Sequence, residues 1–259
     1  MEVVQVKLEQ VFEQAQAVSA EEVEPIAQDL SRTLKNLATL DQTAVRGTLS
    51  SYLTLRRLVD RERLAGLAVR CWPEFFTELG CAACGAMSML SNELTPCSCE
   101  ADVNGTITQL ILQWLSGEPA FGSDLVSVDS TADVVVLWHC GLAPVAMADP
   151  TVPPQGTVHS NRKLPLLMEF PLKPGRVTVA RLSEATGSFR LVVGAAEMLS
   201  APRSFSGTTG VLRFDRPAAE VLETILGEGL EHHVSITYGD YVPALVALAR
   251  MLNIPILHL

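Results

Sequence analysis

The sequence predicts an α/β fold: a mostly parallel sheet flanked by helices, followed by an antiparallel, barrel-like β domain toward the C-terminus. Three observations carry that expectation. Amphipathic helical stretches alternate with short apolar runs up to about residue 148, the pattern of a sheet layered with helices. The segment DPTVPPQG from Asp149 is rich in Pro and Gly and reads as a linker. Beyond it, short alternating strands separated by turn residues indicate antiparallel pairing.

Residues 5–69 read as helical. VFEQAQAV and the run from Pro25 to Leu37 place apolar side chains three or four apart, and TAVRGTLSSYLTLRRLVDRERL continues that spacing to about Leu64. LAGLAVRCW then reads as a short buried strand bounded by Pro73. PEFFTELGCAACGAMSMLSNEL returns to helical spacing and stops at Thr95-Pro96. CSCEADV is strand-like, Asn104–Trp114 is helical up to Gly117, and Thr131–Trp138 is a β-branched run typical of a strand buried on both faces. After the linker, LPLLMEFPL, RVTVARL, FRLVVGAAEM and GVLRFD read as strands. A last helix, VPALVALARML, and a strand, IPILHL, look like an αβ unit returning to the first layer. The expected domains are therefore 1–150 (α/β), 151–239 (antiparallel β) and 240–259 (the returning helix and strand).

Composition narrows the function. A chain of 259 residues with 48% hydrophobic and 19% charged residues can bury a core and is not a disordered tail. Lys and Arg number 19 against 29 Asp and Glu, a net charge of −10, which disfavours a nucleic-acid binder. No apolar run reaches the roughly 18–20 residues that span a bilayer. The N-terminus, MEVVQVKLEQVFEQ, carries acids where a secretion signal needs basic residues. The expectation is a cytoplasmic protein with neither nucleic-acid nor membrane partners.

Several polar residues stand where packing alone would not ask for them. Glu100 ends CSCE, with Asp102 two residues on. Asp124 follows Phe121-Gly-Ser, His139 ends the VVVLW strand, and His232 and His233 adjoin inside EHHVSITYGD. Taken singly, each has a simpler reading: Asp102 and Asp124 as helix caps or solvated loop residues, His139 as a structural histidine, the histidine pair as an exposed turn. Together, two carboxylates and an imidazole converging beyond strand ends make a divalent-metal site of mixed oxygen and nitrogen character.

The cysteines offer a competing site. Five of the six fall within 29 residues, and Cys81-Ala-Ala-Cys84 followed by Cys97-Ser-Cys99 resembles a four-thiolate zinc pattern. The apolar helical residues between the pairs favour simple packing of small buried thiols. The alternative function is thus a non-catalytic binding or regulatory module with a cysteine-held structural zinc.

One resemblance joins these residues. Arg70-Cys-Trp-Pro, Gly80-Cys, Pro96-Cys-Ser-Cys-Glu-Ala-Asp-Val-Asn-Gly, Phe121-Gly-Ser-Asp, His139-Cys-Gly, Pro174-Gly-Arg-Val-Thr-Val-Ala-Arg-Leu and Glu231-His-His-Val occur in an order similar to the L-fucose/L-arabinose isomerase superfamily. The likeness covers about residues 65–259. It implies a metal-dependent aldose–ketose isomerase, using Mn2+ or another divalent cation, acting on a sugar substrate as a homo-oligomer. By position Glu100 and Asp124 match the two carboxylate ligands, 24 residues apart, and serve as acid and base. His233 matches the histidine ligand, with His232 and His139 as further candidates. The resemblance also implies an N-terminal α/β domain ahead of the matching region, so a shortened or inactive form belongs to the expectation.

Overall fold

A computed structural model describes residues 2–259. The N-terminal third is helical: α1 (Leu8–Gln16), α2 (Ala20–Thr33) and α3 (Gln42–Glu62). Their starts are chemically determined. Ser19 and Glu22 form a reciprocal capping box at α2, and Asp41 accepts the Thr43 and Ala44 N–H groups at α3. The apolar stripes then meet in one core around Phe12, Leu34, Leu49 and Phe75, all but absent from the surface.

The expected parallel sheet is reduced to two short strands, β1 (Leu67–Ala68) and β2 (Cys97–Ser98), paired in parallel. The helical stretch between them breaks into α4 (Glu74–Thr77) and α5 (Cys84–Asn92), separated at Gly80, whose φ of +67° lies outside helical space. After β2 comes α6 (Val103–Ser116), capped at its start by Asp102, which accepts the Gly105 N–H at 2.8 Å, and ended by left-handed Gly117.

Among the described residues, nine strands form one further sheet. They are β3 (Phe121–Asp129), β4 (Val134–His139), β5 (Gln155–Thr157), β6 (Leu167–Pro171), β7 (Gly175–Ser183), β8 (Arg190–Leu199), β9 (Thr208–Phe214), β10 (His233–Tyr238) and β11 (Ile256–His258). Their order is β11-β8-β7-β10-β3-β4-β9-β6-β5, and β8 also pairs with β9, so the sheet curls into a ring. The ring is not a closed barrel. Ala196–Leu199 of β8 pair with β9, but Leu191–Val193 pair with β11 instead.

Two expectations are thereby corrected. The β-branched run of β4 is buried as foreseen but antiparallel, lying between β3 and β9. An apolar run records that both faces are covered, not the direction of its neighbours. The C-terminal strand β11 joins β8 in the ring rather than returning to β1 and β2. Its helix, α8 (Val242–Leu252), packs Leu245 and Ala249 against Leu112 of α6 and Ala180, Leu191 and Val193 of the sheet. Helix α7 (Ala218–Gly227) enters the main core through Ala218 and Val221. Strands from both sides of residue 150 share this sheet, which brings residues 100–139 against residues 231–238. Among the described residues no helix is long and apolar enough to cross a membrane.

Candidate metal and substrate site

Glu100 lies on a single turn of 3-10 helix (Cys99–Ala101) between β2 and α6. Glu100 and Ala101 both take left-handed φ of +57°, a conformation that costs a residue with a Cβ of order 1 kcal/mol and clusters at functional sites. Three contacts hold the turn: the Glu100 N–H points at Cys71 Sγ (3.4 Å), Ala101 N–H donates to Val69 O (3.0 Å) and Asp102 N–H donates to Cys99 O (3.0 Å). The Glu100 carboxylate is half exposed and lies 3.3 Å from His232 Nε2.

Asp124 and His233 are cross-strand partners, β3 against β10, so their side chains are neighbours by register. His233 Nε2 stands 3.5 Å from Asp124 Oδ1, too long for a good hydrogen bond. That carboxylate oxygen is buried without a hydrogen-bond partner. Burial pushes the Asp124 carboxyl above its usual range, against the opposing pull of His233 and His232. His139, at the end of β4, is buried, and chiefly for that reason its pKa falls to about 3, leaving a neutral imidazole.

The structure brings the expected residues together in two groups that share His233. Donor atoms of Glu100, His232 and His233 lie within 4.8 Å of one another, and so do those of Asp124, His139 and His233. Glu100 and Asp124 do not fall within one group. Among the described residues, no group of this kind contains a cysteine. Cys71 Sγ lies 2.9 Å from Cys99 Sγ and Cys84 Sγ 3.2 Å from Cys140 Sγ, while Cys97 Sγ points at Thr95 O. The four thiols of the expected zinc pattern thus have separate neighbours. Burial raises Cys81 to about 11, a protonated thiol rather than a metal-binding thiolate at neutral pH.

Two residues outside the expected ligand set complete the arrangement. Asp102, besides capping α6, faces His233 Nδ1 at 3.1 Å through Oδ2, and the same oxygen accepts from Arg181 of β7. Burial alone would raise the Asp102 carboxyl; the hydrogen bonds of His233, Arg181 and Gly105 outweigh it and hold the carboxyl well below its usual range. His233 is opposed by its own burial, yet Asp102 and Asp124 raise its pKa above the ordinary histidine value. Arg181 is 6% exposed and also lies 3.9 Å from Glu231. The only sequence signal for Asp102 was its position two residues beyond Glu100, and a helix cap explained that equally well. Beneath the cluster lies a cavity of about 10 Å³, lined by Ser98, Asp102, Gln109, His139, His233 and Ser235. It has room for about one water.

Gly141, directly after His139-Cys140, has φ of +127°, and a Cβ there would stand 2.7 Å from Met168 O and 2.8 Å from Met168 N. Only glycine lets the end of β4 approach β6 so closely, which accounts for the glycine of the His-Cys-Gly motif.

A strand-edge cluster of two carboxylates and three imidazoles on a ring-like sheet is a donor set suited to a divalent cation. The buried, unbonded Asp124 oxygen facing an imidazole nitrogen fits such an ion. Residues 139–258 match the L-fucose isomerase C-terminal domain, and the chain belongs to the fucose isomerase-like superfamily. It is similar to proteins described as sulfoquinovose isomerase. One from Alkalicoccus urumqiensis is 36% identical over 206 residues, covering 79% of this chain and 46% of that one. One from Priestia aryabhattai is 36% identical over 216 residues, covering 83% and 48%. One from Clostridium sp. (strain MSTE9) is 37% identical over 193 residues, covering 74% and 43%. The chain spans about half the length of the curated relatives it matches.

Proposed function

We propose that this chain is a metal-dependent aldose–ketose isomerase whose substrate is sulfoquinovose, the hexose bearing a sulfonate at C6. The reading rests on the relatives' described activity and on the meeting of Glu100, Asp124, His139 and His232 at one imidazole, His233. Glu100, Asp124 and His233 are assigned as ligands of a divalent cation of the Mn2+ type, with His139 and His232 as additional donors. Such a cation, when bound, polarises the sugar carbonyl and offsets the negative charge that develops on its oxygen.

The chain's own groups supply the proton chemistry. Isomerisation moves a proton from C2 to C1 and another from O2 to O1. Glu100, half exposed on its strained turn, reaches a substrate and takes the carbon-bound proton on a carboxylate oxygen. Asp124, deeper and without a hydrogen bond, handles the oxygen-bound proton. Asp102 accepts from His233 Nδ1 and so orients the ring with Nε2 turned toward Asp124.

The test is direct. With Mn2+ the chain should interconvert sulfoquinovose and its ketose, followed by NMR. EDTA should stop the conversion, and His233→Ala should bind no Mn2+ in calorimetry. Conversion that survives EDTA, or metal binding that survives His233→Ala, overturns the proposal.

A further inference from the structure

The loop between β5 and β6 carries cationic groups for which the proton chemistry above has no use. It is a closed six-residue turn: His159 N–H donates to Leu164 O (2.9 Å), and Lys163 N–H donates to His159 O (2.8 Å). His159 Nδ1 faces the N–H groups of Asn161 (3.3 Å) and Arg162 (3.2 Å). An Nδ1 that accepts leaves the ring proton on Nε2, a free donor. The ring packs against both Phe76 (4.8 Å between centroids) and Trp72 (5.4 Å), and the Arg162 guanidinium lies 4.5 Å from the Trp72 ring centroid.

This loop is fastened to the candidate site. Trp72 follows Cys71, whose sulfur holds the Glu100 turn. The charges are uncompensated. Arg70, Arg181 and Arg203 are paired with Glu74, Asp102 and Glu169, whereas among the described residues neither Arg162 nor Lys163 enters an ion pair. Two exposed, unpaired cations and a fixed imidazole donor, in a chain of net charge −10, suit a small oxyanion. Stacking on Trp72 limits the freedom Arg162 must lose on binding.

We propose that Arg162, Lys163 and the His159 Nε2–H, set against Trp72, form the subsite that receives the sulfonate of the sugar while its C1–C2 end lies at His233. This deepens the isomerase reading and rests on it. One guanidinium, one ammonium and one neutral N–H supply donors for a sulfonate's three oxygens and two positive charges against its one negative charge, and nothing in that set selects a neutral C6 hydroxyl.

The experiment compares sulfoquinovose with glucose, its neutral counterpart at C6, by calorimetry on the metal-free chain and by kinetics with Mn2+. The wild-type chain should bind sulfoquinovose at least about tenfold more tightly than glucose, a difference of about 1.4 kcal/mol. Arg162→Ala with Lys163→Ala, both on the surface, should erase that preference and place the kinetic loss mainly in KM. Arg162→Lys should restore part of it. Glu100→Gln should keep the binding preference while losing turnover. A preference that survives the double substitution, or a wild-type chain with none, overturns the subsite even if isomerisation is observed. A preference without isomerisation overturns the isomerase reading and leaves the anion site standing.

Discussion

His233 is held between two carboxylates: its Nδ1 lies 3.1 Å from Asp102 and its Nε2 3.5 Å from Asp124. The two contacts are unequal in kind. Asp102 is tied down by Gly105 and Arg181 and accepts a hydrogen bond from Nδ1–H, while Asp124 Oδ1 has no hydrogen bond. One edge of the ring is therefore anchored and the other is free to act as a ligand.

Asp102→Asn tests the anchor. Asparagine still caps α6, so the helix start is preserved. Weakening the orientation of a ligating histidine should cost about 10–100-fold in metal affinity. Mn2+ titration by calorimetry measures this, and an unchanged affinity would show that Asp102 has no hold on the ligand. The same change leaves the buried Arg181 with only the distant Glu231, and stability should fall by about 3 kcal/mol in urea unfolding.

Glu100→Gln should abolish isomerisation with little effect on folding. The side chain is 54% exposed and pairs only with exposed His232. Surface changes of this kind stay within about 0.5 kcal/mol. Thermal unfolding and turnover measured on one preparation decide the matter: retained turnover removes Glu100 from the proton chemistry.

Replacing both Cys81 and Cys84 by Ala should leave bound metal unchanged, since both are buried in the core and, among the described residues, neither belongs to a group of possible metal donors. The expected cost is about 1 kcal/mol per site from lost packing. Metal analysis of the purified double variant is the readout. Loss of zinc from it would revive the thiolate site.

Tyr52 links α3 to the end of α5 and predicts alkaline lability. Its hydroxyl donates to Glu93 (2.5 Å) and accepts from Arg56 (2.8 Å). Burial first, then the Glu93 bond, raises its pKa to about 12. A pKa raised in the folded state means the stabilisation is complete below the unfolded value, about 10, and is lost as the pH climbs toward 12. Tyr52→Phe should cost about 1 kcal/mol at pH 7 and flatten the decline above pH 10. Urea unfolding across pH 7–11 tests this: equal slopes for both proteins would exclude Tyr52 as the cause.

Much of the element pattern was legible locally. The helices α2, α3 and α6 show in their apolar spacing, and β7, β8 and β9 in alternation bounded by turn residues. What misled was the run Thr131–Trp138, whose continuous apolarity fits a parallel strand and an enclosed antiparallel one equally well. The break at Gly80 was also hidden, because the residues on either side keep helical spacing while the glycine turns the chain.

The sequence by itself determined which residue types were available: two acids and three imidazoles at positions unsuited to plain packing, and a superfamily likeness that joined them. Only the tertiary structure decided their grouping. Strand register set Asp124 opposite His233, the left-handed turn at Glu100 carried its carboxylate to His232, and Asp102 proved to serve His233 as well as a helix. Such contacts join residues more than a hundred positions apart. Local propensity and periodicity record only the few neighbours along the chain, and the partner across a sheet is chosen by how the whole ring closes its core.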